Sequence, residues 1–303
     1  MYSYSILFPG QEIPNINLLF SFIKKYPIIK KTFEESSDYI KYNLKKLIEN
    51  HPQELINKSK YIQLITLTAS IAIYRLWKNK NEEIPLMLAG HSLGEYSALV
   101  CSKSLKFRDA IKLIIIRNKL MKECMKEKKG AMHAILGLKK CDIQNILRNV
   151  KNKKKVSIAC INTPYQIVIS GEKSIVSKIS TICKKNGAKK IFRLSINPPS
   201  HCLLMKRAAK KLLKVLKDTT FKKPIFPVVN NVDAKIETSV LAIQKALSRQ
   251  LYCPVRWMDS IIYLSKKKTS IFLEAGLNNT LTKLNKFLVA IPSISLNNEN
   301  KFI

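Results

Sequence analysis

The residues Gly90-His91-Ser92-Leu93-Gly94 follow the spacing Gly-x-Ser-x-Gly, which suits a serine held on a sharp turn. The apolar run Pro85-Leu86-Met87-Leu88-Ala89 before it reads as a buried strand, and Ala98-Leu99-Val100 continues a helix after it. Strand, tight turn and helix in that order are what a nucleophile elbow requires. Two glycines let the chain bend, and Ser92 is left at the tip. The plainer reading is a glycine-rich turn whose serine caps the helix. A serine hydroxyl becomes a good nucleophile only when a base takes its proton. Histidines occur at 51, 91, 133 and 201. His201 is the best candidate base, because Pro198-Pro199-Ser200-His201-Cys202 places it where a rigid loop meets a helix start. Its alternative is a helix-start histidine packed on a neighbour. His91 adjoins the serine, so its ring is expected to point away from the serine side of the turn. His51 reads as part of a polar loop and His133 as mid-strand.

Acyl transfer at such a serine also needs N–H donors for the oxyanion. The N–H of Leu93 is one natural donor. The loop Phe8-Pro9-Gly10-Gln11 leaves an early strand and could supply another. Arg117 lies in the apolar helical run Leu113-Ile114-Ile115-Ile116-Arg117. A buried guanidinium needs a partner, and a substrate carboxylate would suit its planar fork. An internal ion pair or a snorkelled surface position fits the spacing equally well.

These residues must be positioned by a fold, and the composition bounds it. The chain has 303 residues, 46% of them hydrophobic, enough for one large domain or a large one with an insert. Lys and Arg number 54 against 20 Asp and Glu, a formal net charge of +34. The lysines are spread over the whole length. We read them as a solvated surface shaped by biased residue usage, with no dedicated nucleic-acid face, although an acidic partner would bind it readily. Seven cysteines without Cys-x-x-Cys spacing read as reduced thiols of a cytoplasmic protein. No metal-ligand cluster is apparent. The N-terminus lacks a secretory pattern, and polar residues interrupt the longest apolar stretch, Tyr61 to Trp77, so no membrane span is expected.

Tyr4 to Phe8 reads as a strand. Helical periodicity follows through Asn17–Lys25, Thr32–Ile48 and Lys60–Lys78, then the strand at 85–89 and helices near 93–102 and 107–125. From Gly130 the texture changes. Strands at Gly130–Leu138, Val156–Ile161, Gln166–Ser170 and Lys189–Ser195 interleave with helices at Cys141–Val150 and Glu172–Asn186. That order, β-α-β-β-α-β, is ferredoxin-like. After Pro198-Pro199 the first texture returns. Helices are expected over His201–Lys217, Ser239–Leu251, Val255–Lys266 and Thr280–Phe287, and strands over Phe226–Val229 and Ser270–Leu273. The expected fold is α/β, a mostly parallel sheet spanning 1–126 and 197–303, with a small subdomain of 127–196 grafted into it.

Phe8-Pro9-Gly10-Gln11, Gly90-His91-Ser92-Leu93-Gly94-Glu95-Tyr96, Arg117, Pro199-Ser200-His201-Cys202 and Val228-Val229-Asn230-Asn231-Val232-Asp233 occur in this order. Together with Arg249-Gln250-Leu251-Tyr252 and Pro254-Val255-Arg256-Trp257, they resemble the malonyl-CoA:acyl carrier protein transacylases from about residue 4 to about residue 290. The resemblance implies an α/β-hydrolase-like core with a ferredoxin-like insert, acting as a monomer in fatty-acid synthesis. It implies that Ser92 attacks malonyl-CoA and that His201 is base and then acid. Gln250 orients the imidazole through its backbone carbonyl, in place of a catalytic aspartate. Arg117 grips the malonyl carboxylate, the N–H groups of Gln11 and Leu93 hold the oxyanion, and Met121 and Ser200 line the acyl pocket. The acceptor is the phosphopantetheine thiol of acidic holo-acyl carrier protein, with no cofactor or metal.

The sequence departs from the family pattern twice. Gln11 is followed by Glu12-Ile13-Pro14 where a glycine is usual, which should stiffen the loop and bring a negative charge near the CoA entrance. A turn after Glu274 reads Ala275-Gly276-Leu277-Asn278-Asn279 in place of Gly-Pro-Gly. Two other readings remain. One is a serine esterase or thioesterase with Asp109 or Asp142 as the acidic partner. The other is a basic binding protein with a decayed site.

Overall fold

A computed structural model describes residues 3–50, 59–126, 129–150, 153–196 and 198–297. The expected subdomain junctions at 127 and 197 and the expected loop at His51 lie outside the described residues.

Five strands form one parallel sheet: β1 (Tyr4–Phe8), β2 (Met87–Gly90), β7 (Val228–Val229), β8 (Ile271–Glu274) and β9 (Ser293–Ser295). Their order is β7-β2-β1-β8-β9, with β1 at the centre paired to β2 and β8. All five residues of β1 are buried. A parallel strand covered on both faces needs an unbroken apolar run, and Tyr-Ser-Ile-Leu-Phe meets that need because Ser5 Oγ pairs with Thr269 Oγ1 at 2.8 Å.

Helices flank this sheet: α1 (Ile16–Lys25), α2 (Pro27–Ile40), α3 (Leu44–Asn50), α4 (Ser59–Lys80), α5 (Gly94–Cys101) and α6 (Phe107–Glu123). The single helix expected over Thr32–Ile48 is two. Lys41 adopts φ 52°, left-handed backbone that ends α2, and Asn43 Oδ1 accepts the N–H of Lys46 to start α3.

Four further strands form a separate antiparallel sheet: β3 (Gly130–Leu136), β4 (Val156–Thr163), β5 (Gln166–Glu172) and β6 (Lys190–Arg193), in the order β4-β5-β3-β6. Helices α7 (Lys140–Arg148) and α8 (Lys173–Lys185) complete the β-α-β-β-α-β succession. Strand alternation splits its side chains. Ala131, Ile135, Ile167 and Ile169 pack with Ile143, Val176 and Ile179 of the two helices. Met132, Ala134, Cys160 and Val168 face the other way, joining the core formed by Leu7, Met87, Trp257 and Phe272. The small sheet is therefore one wall of whatever lies above the parallel sheet.

The chain then returns as α9 (Lys206–Asp218), α10 (Val240–Gln250), α11 (Trp257–Ser265) and α12 (Thr280–Asn285). Helix α9 buries Ala208, Ala209, Leu212 and Leu216 and turns Lys206, Lys210, Lys211, Lys214 and Lys217 outward. The helix expected from His201 starts later. His201 has φ 59°, and a short 3-10 turn at Leu203–Met205 precedes α9. Strand β9 carries no alternation long enough to be read from sequence. No described helix is long and apolar enough to cross a membrane.

Candidate active site

Ser92 sits between the end of β2 and the start of α5, with φ 52°. A non-glycine residue in left-handed backbone is strained, and surrounding contacts must hold it there. A Cβ at Gly90 would fall 1.9 Å from the Gly94 carbonyl carbon, and one at Gly94 would fall 2.1 Å from the Phe8 oxygen. Both glycines are thus required by close backbone approach, and the turn has the form expected of a nucleophile elbow.

Ser92 does not cap the helix with its side chain. Its Oγ lies 2.7 Å from His201 Nε2, although 109 residues separate the two. His201 Nδ1 lies 2.7 Å from the backbone oxygen of Gln250. A carbonyl only accepts, so Nδ1 carries the proton and Nε2 is left to accept from the serine hydroxyl. The positive φ of His201 and the 2.8 Å bond from its N–H to the Leu251 oxygen hold the ring in this line. Burial, and then the charge of Arg117, push the imidazole down to about 3, while the bond to Gln250 acts the other way. The resting histidine is therefore neutral, as a base must be.

Ser92 and His201 border a cavity of about 380 Å³, enclosed by the parallel-sheet loops below and the small sheet above. Gln11, Leu93, Arg117, Met121 and Ser200 all line it. The expected site residues therefore converge, with Gln250 directly behind His201. Among the described residues, neither the Gln11 nor the Leu93 backbone N–H is spent on another group. The Gln11 side chain is held by Gln63, whose Nε2 donates to Gln11 Oε1 at 2.9 Å.

Arg117 is 3% exposed. The internal ion pair that its spacing allowed is absent among the described residues, and its Nε has no hydrogen-bond partner. It is a desolvated guanidinium facing a cavity, a position that favours an anionic ligand group.

His91 is among the residues that line the cavity; its ring Nε2 donates at 3.0 Å to Asn162 Oδ1 of β4, and the ring lies against Trp257. Neither aspartate candidate serves His201, whose Nδ1 is already taken by Gln250. Asp109 sits in the first turn of α6, and Asp142 accepts the Lys139 N–H at the start of α7. His133 is mid-strand as expected, bonded to Ser180. Sequence reasoning missed Asn231, whose Oδ1 accepts the Ser92 N–H at 2.6 Å and whose Nδ2 donates to the Gly90 oxygen at 2.5 Å. The signal was its place in the Val228–Asp233 run that carries the family resemblance, to which no role was attached. Glu12 borders the cavity, and its Oε2 accepts from Thr280 Oγ1 at 2.6 Å. Among the described residues no group of three His, Cys, Asp or Glu could hold a metal ion.

Residues 27–284 match the acyl transferase domain family. The chain is 50% identical over 305 residues to the malonyl CoA-acyl carrier protein transacylase of Buchnera aphidicola subsp. Baizongia pistaciae, covering 100% of this chain and 98% of the relative. Among solved structures, it superimposes with a TM-score of 0.95 on a malonyl-transacylase in complex with its type II PKS acyl-carrier protein. The identity is 42%, and 99% of this chain and 97% of that one are covered. A malonyl CoA-acyl carrier protein transacylase from Coxiella burnetii gives a TM-score of 0.95 at 35% identity, covering 99% and 96% of the two chains.

Proposed function

The chain belongs to the malonyl CoA-acyl carrier protein transacylases of the acyl transferase family, and from that premise we propose that it moves a malonyl group from malonyl-CoA to the phosphopantetheine thiol of acyl carrier protein. The observation that carries this reading is a buried guanidinium, Arg117, with no ion pair among the described residues, in the same cavity as the Ser92–His201 pair. A simple esterase has no use for a carboxylate clamp.

In the first half-reaction the malonyl carboxylate pairs with Arg117, which orients the thioester carbonyl over Ser92. Ser92 Oγ attacks the carbonyl carbon while His201 Nε2 takes the hydroxyl proton. The resulting oxyanion is held by the N–H groups of Gln11 and Leu93, the latter at the start of α5, where the helix dipole also favours negative charge. The C–S bond breaks, and His201 returns the proton to the CoA sulfur. The product is a malonyl ester on Ser92. Acyl carrier protein then enters, its thiol gives its proton to His201, and its sulfur attacks the ester. Collapse of the second oxyanion expels Ser92 Oγ, which recovers the proton from His201. The kinetics are ping-pong.

Met121 and Ser200 bound the acyl part of the cavity, and the Ser200 hydroxyl rests 3.4 Å from the Met132 sulfur. Every group in this scheme comes from one chain, which supports a monomer as the working unit. The excess of basic over acidic residues suits an acidic carrier. Seven unpaired cysteines suit the reducing cytoplasm, where the product would feed fatty-acid synthesis. We assign 1–126 with 197–303 to the catalytic core and 127–196 to the insert that roofs the site.

The test is the intact mass of the protein after brief exposure to malonyl-CoA or acetyl-CoA, with Ser92→Ala alongside. A malonyl adduct on wild type only, discharged by holo-acyl carrier protein, is expected. Release of CoA without an adduct and without carrier would assign the site to hydrolysis. Absence of both would remove the enzymatic reading.

A further inference from the structure

Beneath the elbow lies a carboxylate that the scheme above does not use. Glu95, the second residue of α5, is 2% exposed. Its Oε2 accepts the backbone N–H of Asn231 at 3.0 Å and the Gln250 side-chain amide at 2.8 Å. Those two residues hold both members of the Ser92–His201 pair. Asn231 grips the elbow on either side of its tip, at the Ser92 N–H and the Gly90 oxygen. The Gln250 amide also reaches the Ser92 oxygen at 3.1 Å, and the Gln250 backbone oxygen receives His201 Nδ1. Gln250 and Asn231 have no solvent exposure, so no water competes for these bonds. The Arg249–Asp233 ion pair braces the same two segments from outside, at 3.0 Å between Nη1 and Oδ1.

The chain folds three distant segments onto this one oxygen. The elbow carries the nucleophile, the β7 loop carries Asn231, and the end of α10 carries Gln250. A strained φ at Ser92 and another at His201 each need an external restraint, and the Glu95 network touches both. We propose that Glu95 is a positioning residue of the reaction: its carboxylate locks Gln250 and Asn231 against the elbow and thereby sets the line from Ser92 Oγ through His201 to the Gln250 carbonyl. It takes no proton from substrate and touches no reacting atom. It supplies, one residue removed, the orientation that a carboxylate bonded directly to the histidine would otherwise give. The proposal rests on the nucleophile–base assignment but not on the identity of the acyl group.

Two rates test it. One is first-order acylation of Ser92 by malonyl-CoA at saturation. The other is labelling of Ser92 by a fluorophosphonate, which requires an activated serine and no malonyl recognition. Glu95→Ala should lower both by about 100-fold, the scale expected when a reacting group is misplaced by about 1 Å, with KM for malonyl-CoA within about threefold. Glu95→Gln keeps an oxygen that can accept both N–H groups and should recover to within about fivefold of wild type. Gln250→Leu removes the side-chain bonds but keeps the backbone carbonyl. It should lose as much as Glu95→Ala, and the double variant should lose no more than either alone. If Glu95→Ala does not fold, the Gln250→Leu and Glu95→Gln pair carries the test.

Both rates within threefold of wild type in folded Glu95→Ala or Gln250→Leu would overturn the proposal. So would full additivity in the double variant, or a rise in KM that accounts for the loss. Failure of malonyl acylation in wild type, with fluorophosphonate labelling still dependent on Glu95, would refute the transacylase reading and leave the positioning role standing.

Discussion

Replacing Arg117 separates recognition of the acyl group from the chemistry at Ser92. The guanidinium has already given up water, and its Nε finds no hydrogen-bond partner among the described residues. The charges of Tyr96 and Glu95 favour it only from a distance, without an ion pair among the described residues, so an anion entering the cavity is its natural direct partner. Removing one partner of a desolvated charge pair costs about 3–5 kcal/mol, which corresponds to a fall of about two hundred- to five thousand-fold in kcat/KM. Arg117→Ala should show that fall with malonyl-CoA. Acetyl-CoA has no carboxylate to pair, so its kcat/KM should hold or rise, and the malonyl-to-acetyl ratio should collapse by about the same factor. Arg117→Met, which keeps most of the side-chain volume, should behave like Arg117→Ala, because the lost property is charge and not bulk.

The same variants carry a second readout. The Arg117 charge is one of the causes that hold the His201 imidazole down, after burial. Taking that charge away raises the affinity of His201 for a proton. The base then becomes protonated at a higher pH, so the acid limb of the kcat/KM profile for acetyl-CoA should move upward. CoA release followed with a thiol reagent, at fixed pH and then across the acid range, measures both effects. Melting temperatures taken in parallel separate them from unfolding. An equal fall for both substrates, with the acid limb unmoved, would refute the clamp.

Two further outcomes follow, one from groups that line the cavity and one from a buried carboxyl at the end of β8. Thr280→Val removes the hydroxyl that bonds Glu12, and Glu12→Gly removes the carboxylate. Each should slow acylation by about three- to tenfold by loosening the Gln11 loop and should speed amide exchange at residues 10–13, and an unchanged acylation rate would free that loop from any role. Glu274 is held up to about 7, chiefly by burial, against bonds from the Leu281 and Thr282 N–H groups at 3.0 and 2.7 Å. A carboxyl whose folded value lies above its unfolded 4.5 binds its proton more tightly in the folded state, so its stabilising share is complete below about 4.5 and is lost as pH rises through about 7. Urea unfolding should therefore show wild type losing ground to Glu274→Gln between pH 4.5 and 7.5, by up to about 3 kcal/mol, and a constant difference would refute the shift.

What the sequence made legible divides along a physical line. Ser92, Leu93 and the two glycines lie within five consecutive residues, and the steric demand of a tight turn is local, so spacing alone exposes it. The two sheet types were legible too, from the order of elements: strands alternating with helices argue for a parallel sheet, and the β-α-β-β-α-β run for a ferredoxin-like unit. His201 and Arg117 were legible only as exceptions, a histidine beside a Pro-Pro loop and an arginine in an apolar helix. The spacing could not choose between a clamp and an ion pair, since that depends on which carboxylates the fold brings near.

Of the supporting network only the Gln250 carbonyl was expected, from the family resemblance; the side-chain bonds were not legible, for the same reason. Glu95 meets Asn231 and Gln250 across 136 and 155 residues, and nothing in an α5 glutamate distinguishes an inward hydrogen-bonded carboxylate from a surface one. The break at Lys41 was missed because left-handed backbone at a lysine has no compositional signal. Chemistry-bearing residues stand out when their type conflicts with their surroundings in the chain. Positioning residues conflict with nothing until the chain is folded, and at this site they are the groups that decide whether a serine and a histidine 109 residues apart meet at 2.7 Å.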